Sequence, residues 1–335
     1  MTSETDNRPI HPVYKAVCDE SSKRSPILVK IVNEALETED YSGIQKFRAA
    51  GDEQLSKIPL PDIIKTTKEV TGGPDNIKVK LSIFRPVGSE DEVLPIILYL
   101  HGGGFMFGST YTHGKSVIDF AVGVHAVVVF VDYSLSPEVK FPVATEEIFA
   151  ALCWVRENAA EINGDPEKIV VLGDSAGGNL SAVVSLMAKD RGLGDVIKAQ
   201  VLIYPFVSAT RDFPSHEKYG QGEYLLSLKV SSVFSKTYFP VSAEELNNPY
   251  GTPLILPVEK LTGLPPALVL TAECDILRDE GEAYSNKLLQ AGNDVVGIRV
   301  LGTIHGFMTT EGPPTPQYRQ GLNTCISFIK DRLNL

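Results

Sequence analysis

Apolar positions along this chain follow two rhythms, and the change between them comes near Pro59. Before it, Ile27, Leu28, Ile31, Val32, Ala35 and Leu36 recur at helical spacing, and Tyr41, Ile44 and Phe47 continue the habit after Asp40. The first fifty or so residues therefore predict helices without strands. Beyond Pro59, Ile77, Val79, Leu81 and Ile83 alternate at period two, as a strand with one covered face does. Unbroken apolar runs follow: Pro95 to Leu100, Ala126 to Val131, Ile169 to Leu172, Val201 to Tyr204, Ala267 to Leu270 and Val295 to Val300. A strand covered by helices on both faces has no polar side, so its sequence loses the alternation.

Helical stripes separate these runs: Ile148, Ala151, Leu152, Val155 and Ala159, then Leu180, Val183, Val184 and Met187, and finally Tyr318, Leu322, Cys325, Ile326 and Ile329. Strand alternating with helix predicts an α/β domain with a mostly parallel central sheet flanked by helices. One interval breaks the pattern. Between Tyr204-Pro205 and Leu264-Pro265-Pro266 lie roughly sixty residues without a strand-like run, longer than an ordinary connection and rich in Phe and Tyr. It reads as a helical insertion. The chain then divides into an N-terminal helical part of a cap (1–50), the first part of the core (51–205), the cap insertion (206–262) and the second part of the core (263–335).

Composition adds mainly exclusions. With 335 residues, 43% of them hydrophobic and 22% charged, the chain can bury a sizeable core. The net charge of -11 and the absence of a dense Lys/Arg block argue against nucleic acid or an anionic membrane as a partner. No apolar run is long enough to span a bilayer, and no basic flank and apolar core follow Met1, so the cytoplasm is the expected location. Cys18, Cys153, Cys274 and Cys325 are scattered without CxxC pairing, which gives a zinc site or redox motif nothing to rest on and predicts reduced, buried thiols. The sequence leaves a homodimer open.

The chemistry concentrates in three places. Gly173-Asp174-Ser175-Ala176-Gly177 joins a strand-like run to a helical stripe. A strand-to-helix turn of this kind forces its central serine into a strained conformation, with glycines letting strand and helix approach closely. GxSxG alone arises by chance about once in ten chains of this length, so its context matters more than its letters. His101-Gly102-Gly103-Gly104-Phe105 ends another apolar run, and HGGG arises by chance in only a few per thousand chains, roughly. Bare glycines expose backbone N–H groups, which suits a loop binding the oxyanion of a tetrahedral intermediate. Gly103, Gly104 and Ala176 are the expected donors, and His101 reads as structural.

A serine hydroxyl is nearly inert at neutral pH, so it needs a base within hydrogen-bond reach and a third group to orient that base. Of the histidines, His305 stands apart because it follows the last strand-like run, just before the C-terminal helical stripe. Asp275 follows the preceding run and is the expected acid, with Asp279 and Glu273 as rivals; Asp279 reads more naturally as a local partner of Arg278. The order Ser175, Asp275, His305 is that of α/β-hydrolases. No metal or organic cofactor is called for.

In these motifs the chain resembles the hormone-sensitive-lipase family of esterases, the branch whose nucleophile motif is GDSAG. HGGGF, Gly173 to Gly178, the Asp275-to-Glu280 stretch and His305-Gly306-Phe307 match in order, as do Asp132 to Glu138 and Phe141-Pro142, similar to the family's DYRLAPE and FP. The match runs from about Pro95 to Phe307. Ser134 and Ser136 replace the usual Arg and Ala, and Ile276 replaces Pro, which bears on loop packing. The resemblance implies an α/β-hydrolase with a helical cap that cleaves short to medium acyl esters of small molecules through an acyl-enzyme. Phe105, Phe107, Phe206, Phe213 and Phe307 are the expected pocket lining. Two alternatives share the fold: an amidase or deacetylase using the same residues, and a non-catalytic small-ligand receptor like the plant gibberellin receptors. The receptors have lost the histidine that is present here as His305.

Overall fold

Eight strands form one sheet: β1 (Ile64–Gly72), β2 (Ile77–Arg85), β3 (Leu94–Leu100), β4 (Val127–Asp132), β5 (Gly164–Asp174), β6 (Ile197–Ile203), β7 (Ala267–Cys274) and β8 (Val295–Ile304). The computed structural model describes residues 8–239, 247–310 and 312–335. Residues 1–7 of the N-terminal part, 240–246 of the insertion and residue 311 lie outside the described residues. The strand order is β1-β2-β4-β3-β5-β6-β7-β8, with β1–β2 and β2–β4 antiparallel and every other pair parallel. This is the mostly parallel sheet expected from the alternating runs, in the α/β-hydrolase fold that the motif order and the resemblance implied. Chain order reverses beside β3, and in open parallel sheets ligands bind at the carboxyl ends of strands next to such a reversal. The HGGG loop leaves β3 and the GDSAG turn leaves β5, two neighbouring strands at that point.

Burial explains the sequence rhythms. In β3 every residue is buried, and Val127 to Val131 of β4 are buried as well. The alternation read in β2 holds only for its first half, because from Leu81 onward both faces of the strand are covered. β1 escaped the sequence reading for the opposite reason: it is an edge strand in which only Val70 and Gly72 are buried.

Helices α1 (Pro12–Thr38) and α2 (Ser42–Leu55) precede the sheet, and α3 (Gly114–Val124), α4 (Val143–Asn158) and α5 (Ala176–Asp190) alternate with its strands. α6 (Pro214–Tyr219) and α7 (Leu228–Tyr238) lie in the long insertion, and α8 (Arg278–Gln290) and α9 (Pro316–Leu333) complete the chain. Among the described residues no strand lies between β6 and β7. α2 runs to Leu55, past the expected boundary at residue 50. α1, α2 and α7 share an apolar cluster of their own, with Val29, Val32, Ala35, Ile44, Val230 and Val233 packed around Met106 of the HGGG loop. Ile27, read from the sequence as part of the inward stripe, is instead 57% exposed, while Val29 is buried. Among the described residues no helix is long and apolar enough to cross a membrane.

The turn after β5 depends on how closely α5 approaches β3. A Cβ on Gly177 would overlap the Leu100 carbonyl oxygen, and one on Gly173 would overlap the Gly177 carbonyl. Gly177→Ala should therefore lower stability by about 1–3 kcal/mol or more, since the obstacle is backbone that cannot rotate away. Gly51→Ala in α2, where a Cβ meets nothing within 4 Å, should raise it by about 0.5–1 kcal/mol. Denaturant unfolding of the two variants beside the parent checks both signs. Equal stabilities would show that the close contact is not a constraint.

Candidate active site

Ser175 is the pivot of the turn between β5 and α5, and its backbone sits at φ 56, ψ -116, outside the regions an L-residue favours. Strain of this kind costs roughly 1–3 kcal/mol and persists only where the surroundings over-determine it. Here they do. Ser175 N–H donates to the Ile203 carbonyl at 2.8 Å, and its own carbonyl accepts from Asn179 at 3.0 Å and Phe206 at 3.2 Å. The hydroxyl is thereby aimed off the sheet edge into a cavity of about 320 Å³.

β8 ends at Ile304, so His305 is the first residue beyond the strand, and β7 ends at Cys274, so Asp275 is the first residue beyond its own. Both strands run further than their apolar cores predict. His305 Nε2 lies 2.9 Å from Ser175 Oγ, and Nδ1 lies 2.7 Å from Asp275 Oδ2. A carboxylate can only accept, so Nδ1 carries the proton and Nε2 is left to accept from the serine. The other oxygen of Asp275 accepts from the Leu277 amide at 2.9 Å, and the Tyr204 ring packs 4.8 Å from the imidazole. The three expected residues are thus in one hydrogen-bonded line. The rivals are engaged elsewhere: Asp279 accepts from Arg278 at 2.7 Å and the Ser215 amide at 2.8 Å, and Glu273 accepts from the Gly302 amide at 2.7 Å.

Gly103, Gly104 and Ala176 all line the cavity, and none of their amides donates to a carbonyl or side chain among the described residues. Gly103 at φ 116 and Gly104 at φ 63 occupy conformations that glycine tolerates best. A Cβ on Gly104 would strike the Phe234 ring of α7.

Two side chains that the sequence reading did not place hold this loop to the serine turn. Asp174 is buried, and its Oδ1 accepts from the Gly102 amide at 3.0 Å and lies 3.2 Å from His113 Nε2. Burial alone would raise the Asp174 carboxyl, but His113 and the Gly102 amide outweigh it and hold the group below the ordinary carboxylate value. The signal was the aspartate inside GDSAG itself, a charge at the end of an apolar strand. His101 is structural, as read. Its ring stacks on Tyr133 at 4.1 Å between centroids, Nδ1 lies 2.9 Å from the Gly102 carbonyl oxygen, and burial pushes it down to about 3. The serines at the family's Arg and Ala positions are satisfied locally: Ser134 donates from its amide and hydroxyl to Glu147, both at 2.6 Å, and the Ser136 amide donates to Phe105 at 2.8 Å.

Phe105, Phe107 and Phe206 line the cavity, whereas Phe213 and Phe307 do not. Phe213 packs edge-on against His216 beneath α6, and Phe307 points into the core against Tyr204. Further apolar wall comes from Leu28 of α1 and from Leu225, Leu226, Val230 and Phe234 in and before α7, which local pattern could not bring to the serine. Among the described residues no group of three His, Cys, Asp or Glu side chains converges as metal ligands would.

The chain matches the α/β hydrolase fold family model over residues 97–309. It is 38% identical over 258 residues to a carboxylesterase of Mycobacterium tuberculosis, covering 76% of this chain and 79% of that enzyme. It is 34% identical over 264 residues to an arylesterase of Saccharolobus solfataricus, covering 79% and 84%. Among solved structures, it superposes on a fungal esterase from Rhizomucor miehei with a TM-score of 0.89 and 46% identity, over 98% of this chain and 99% of that one.

The division of labour among the acidic residues can be measured. Asp275→Asn should reduce kcat by about three to four orders of magnitude, because the amide no longer fixes the tautomer that leaves Nε2 free. Asp279→Asn should cost activity far less and act mainly on thermal stability. Turnover and melting temperature of both variants test this, and the reverse ranking would assign the acid to Asp279.

Proposed function

We propose a catalytic cycle for this protein from the premise that the chain belongs to the hormone-sensitive-lipase family of α/β hydrolases. It is a carboxylic ester hydrolase, as its carboxylesterase and arylesterase relatives are. The observation that carries the assignment of roles is the hydrogen-bonded line from Ser175 through His305 to Asp275.

In this reading Ser175 Oγ attacks the ester carbonyl while His305 Nε2 takes its proton, and Asp275 stabilises the imidazolium that results. The amides of Gly103, Gly104 and Ala176 receive the oxyanion. A donor of this type is worth about 2.7–4 kcal/mol in the transition state, because it is already oriented when the charge develops. His305 then protonates the departing alcohol, leaving an acyl-enzyme on Ser175. Water, deprotonated by the same histidine, releases the acid.

The cavity of about 320 Å³ favours short to medium acyl groups and small-molecule esters. α1, α2 and α7 serve as its cap, since their apolar cluster sits over the HGGG loop. A reducing cytoplasm suits the four cysteines, which are buried and unpaired, with burial pushing Cys18 up to about 11 and Cys325 up to about 12. A homodimer would be read from sedimentation of the full chain.

Ser175→Ala should lose about four to six orders of magnitude in kcat on nitrophenyl esters while remaining folded by circular dichroism. The parent should release a burst of nitrophenol equal to one site when deacylation is slow. A variant that keeps the parent's rate would remove Ser175 from the cycle, and a faster rate on acyl amides than on esters would favour the amidase reading.

A further inference from the structure

Both ends of the segment from Ile203 to Phe206 grip the serine by main chain. The Ile203 carbonyl accepts from the Ser175 amide at 2.8 Å, and the Phe206 amide donates to the Ser175 carbonyl at 3.2 Å. Pro205 fixes the middle, since it packs so closely on α5 that a Cβ on Gly178 would come within 2.9 Å of it. Tyr204 stands between these contacts, where β6 ends, and its amide donates to the Leu270 carbonyl of β7 at 2.6 Å.

The φ of Tyr204 is 35, on the left-handed side that bulky residues rarely occupy. An outlier of this kind persists only where the surroundings impose it, and it tends to mark a working part of the molecule. The side chain lies against the loop that follows β8. Its ring is 4.8 Å from the His305 imidazole, at 57° between planes, and 5.6 Å from the Phe307 ring, at 63°. The ring is fully buried, and its hydroxyl lies by Thr309 and the Met308 backbone without a hydrogen bond of ordinary geometry. Residues His305 to Thr309 thus wrap one aromatic ring. Burial raises this phenol well above its ordinary value, so it has no use as an acid or base, and its ring is what the loop meets.

We propose that Tyr204 is a positioning residue for the reaction, its ring holding the His305 imidazole in the plane where Nδ1 faces Asp275 and Nε2 faces Ser175; this rests on the Ser175–His305–Asp275 reading. The two hydrogen bonds of His305, at 2.7 and 2.9 Å, hold nitrogens on opposite sides of the ring and leave it able to roll about the line between them. Neither the N–H of Nδ1 nor the lone pair of Nε2 points along that line. Rolling therefore swings both off their partners, and bent hydrogen bonds weaken steeply. Packing on the imidazole face stops the roll. Because Tyr204 belongs to the segment that clamps Ser175, base and nucleophile are set by one piece of backbone. Tyr204 does not line the cavity that holds Ser175, so its loss acts on proton transfer and not on the fit of the ester.

The test compares Tyr204→Leu and Tyr204→Phe with Tyr284→Leu. Tyr284 is another fully buried tyrosine with an unpartnered hydroxyl, and its ring belongs to a different apolar cluster. On nitrophenyl butyrate, Tyr204→Leu should lower kcat by about ten- to a hundredfold and leave KM within about threefold, since both steps of the cycle use His305. Tyr204→Phe keeps the ring and should stay within about threefold of the parent. Tyr284→Leu should lower the melting temperature as Tyr204→Leu does, yet leave kcat within about twofold. In proton NMR, the far-downfield signal of His305 Nδ1–H should persist in Tyr204→Phe and broaden or vanish in Tyr204→Leu. Tyr204→Met makes the same comparison if the leucine variant does not fold. An unchanged kcat or an unchanged downfield signal in Tyr204→Leu overturns the proposal, as does an equal loss of kcat in Tyr284→Leu or a loss carried by KM. An equal loss in Tyr204→Phe would give the task to the hydroxyl, which overturns it too. Failure of the underlying reading looks different, because His305→Gln would then keep the parent's turnover.

Discussion

The structure turns on one buried carboxylate. Asp174 ends β5 immediately before the serine, and it reaches across to the loop that ends β3, accepting from the Gly102 amide and lying beside His113. Removing a charge from water is costly unless hydrogen bonds replace the lost hydration, so Asp174 holds its neighbours as firmly as they hold it. The result is that the serine turn and the glycine loop are one rigid piece. Such rigidity matters because donors help an oxyanion only if they are already in place when its charge develops.

The histidine reaches this piece from the other half of the sheet, and the stretch from Asp275 to Glu280 is what brings it there. Each acidic residue of the stretch has a separate task. Asp275 holds the imidazole, Asp279 binds the Ser215 amide at the start of α6, and Glu280 accepts from the Val207 and Ser208 amides at 2.8 and 3.2 Å where the chain leaves β6. Glu280 is fully buried, and burial pushes its carboxyl up against the opposing pull of His216 and those amides. A surface carboxylate could not serve this purpose, since its partners would be exchanged for water. Three tethers from one short segment fix the acid, the insertion and the exit of β6 relative to each other.

The parts of this arrangement that were legible in the sequence are those where local chemistry and position coincide. Apolar runs such as Val127 to Val131 announce covered strands, and the glycines of GDSAG and HGGG announce backbone close to backbone. Chain order and strand ends then single out His305 and Asp275. What stayed hidden depends on contacts between distant segments. β1 carries too few apolar residues to show a period, because at the sheet edge only Val70 and Gly72 turn inward. Phe213 and Phe307 are aromatic and near the right loops, yet which way a ring points is decided by His216 and Tyr204, not by its neighbours in sequence. His113 is likewise an ordinary histidine until the fold sets it beside Asp174.

The proposed cap is built by a different logic. Its apolar cluster is separate from the main core, and it grips the glycine loop at few points: Met106 within the cluster, the Phe234 ring where a Gly104 side chain would be, and Arg48 of α2, which donates to the Met106 carbonyl at 2.7 Å and pairs with Glu138 at 2.7 Å. The Phe234 contact bears directly on Gly104, one of the three proposed amide donors. Displacement of α7 by a substrate would therefore be felt directly at Gly104, and a shift of about 1 Å at such a donor can cost on the order of a hundredfold in rate. A site in which the surface that recognises the substrate also presses on the oxyanion loop converts poor fit in the cavity into poor stabilisation of the transition state. In the proposed cycle selectivity then appears in the chemical step as well as in binding, because the glycine at 104 has an aromatic ring for a neighbour instead of solvent.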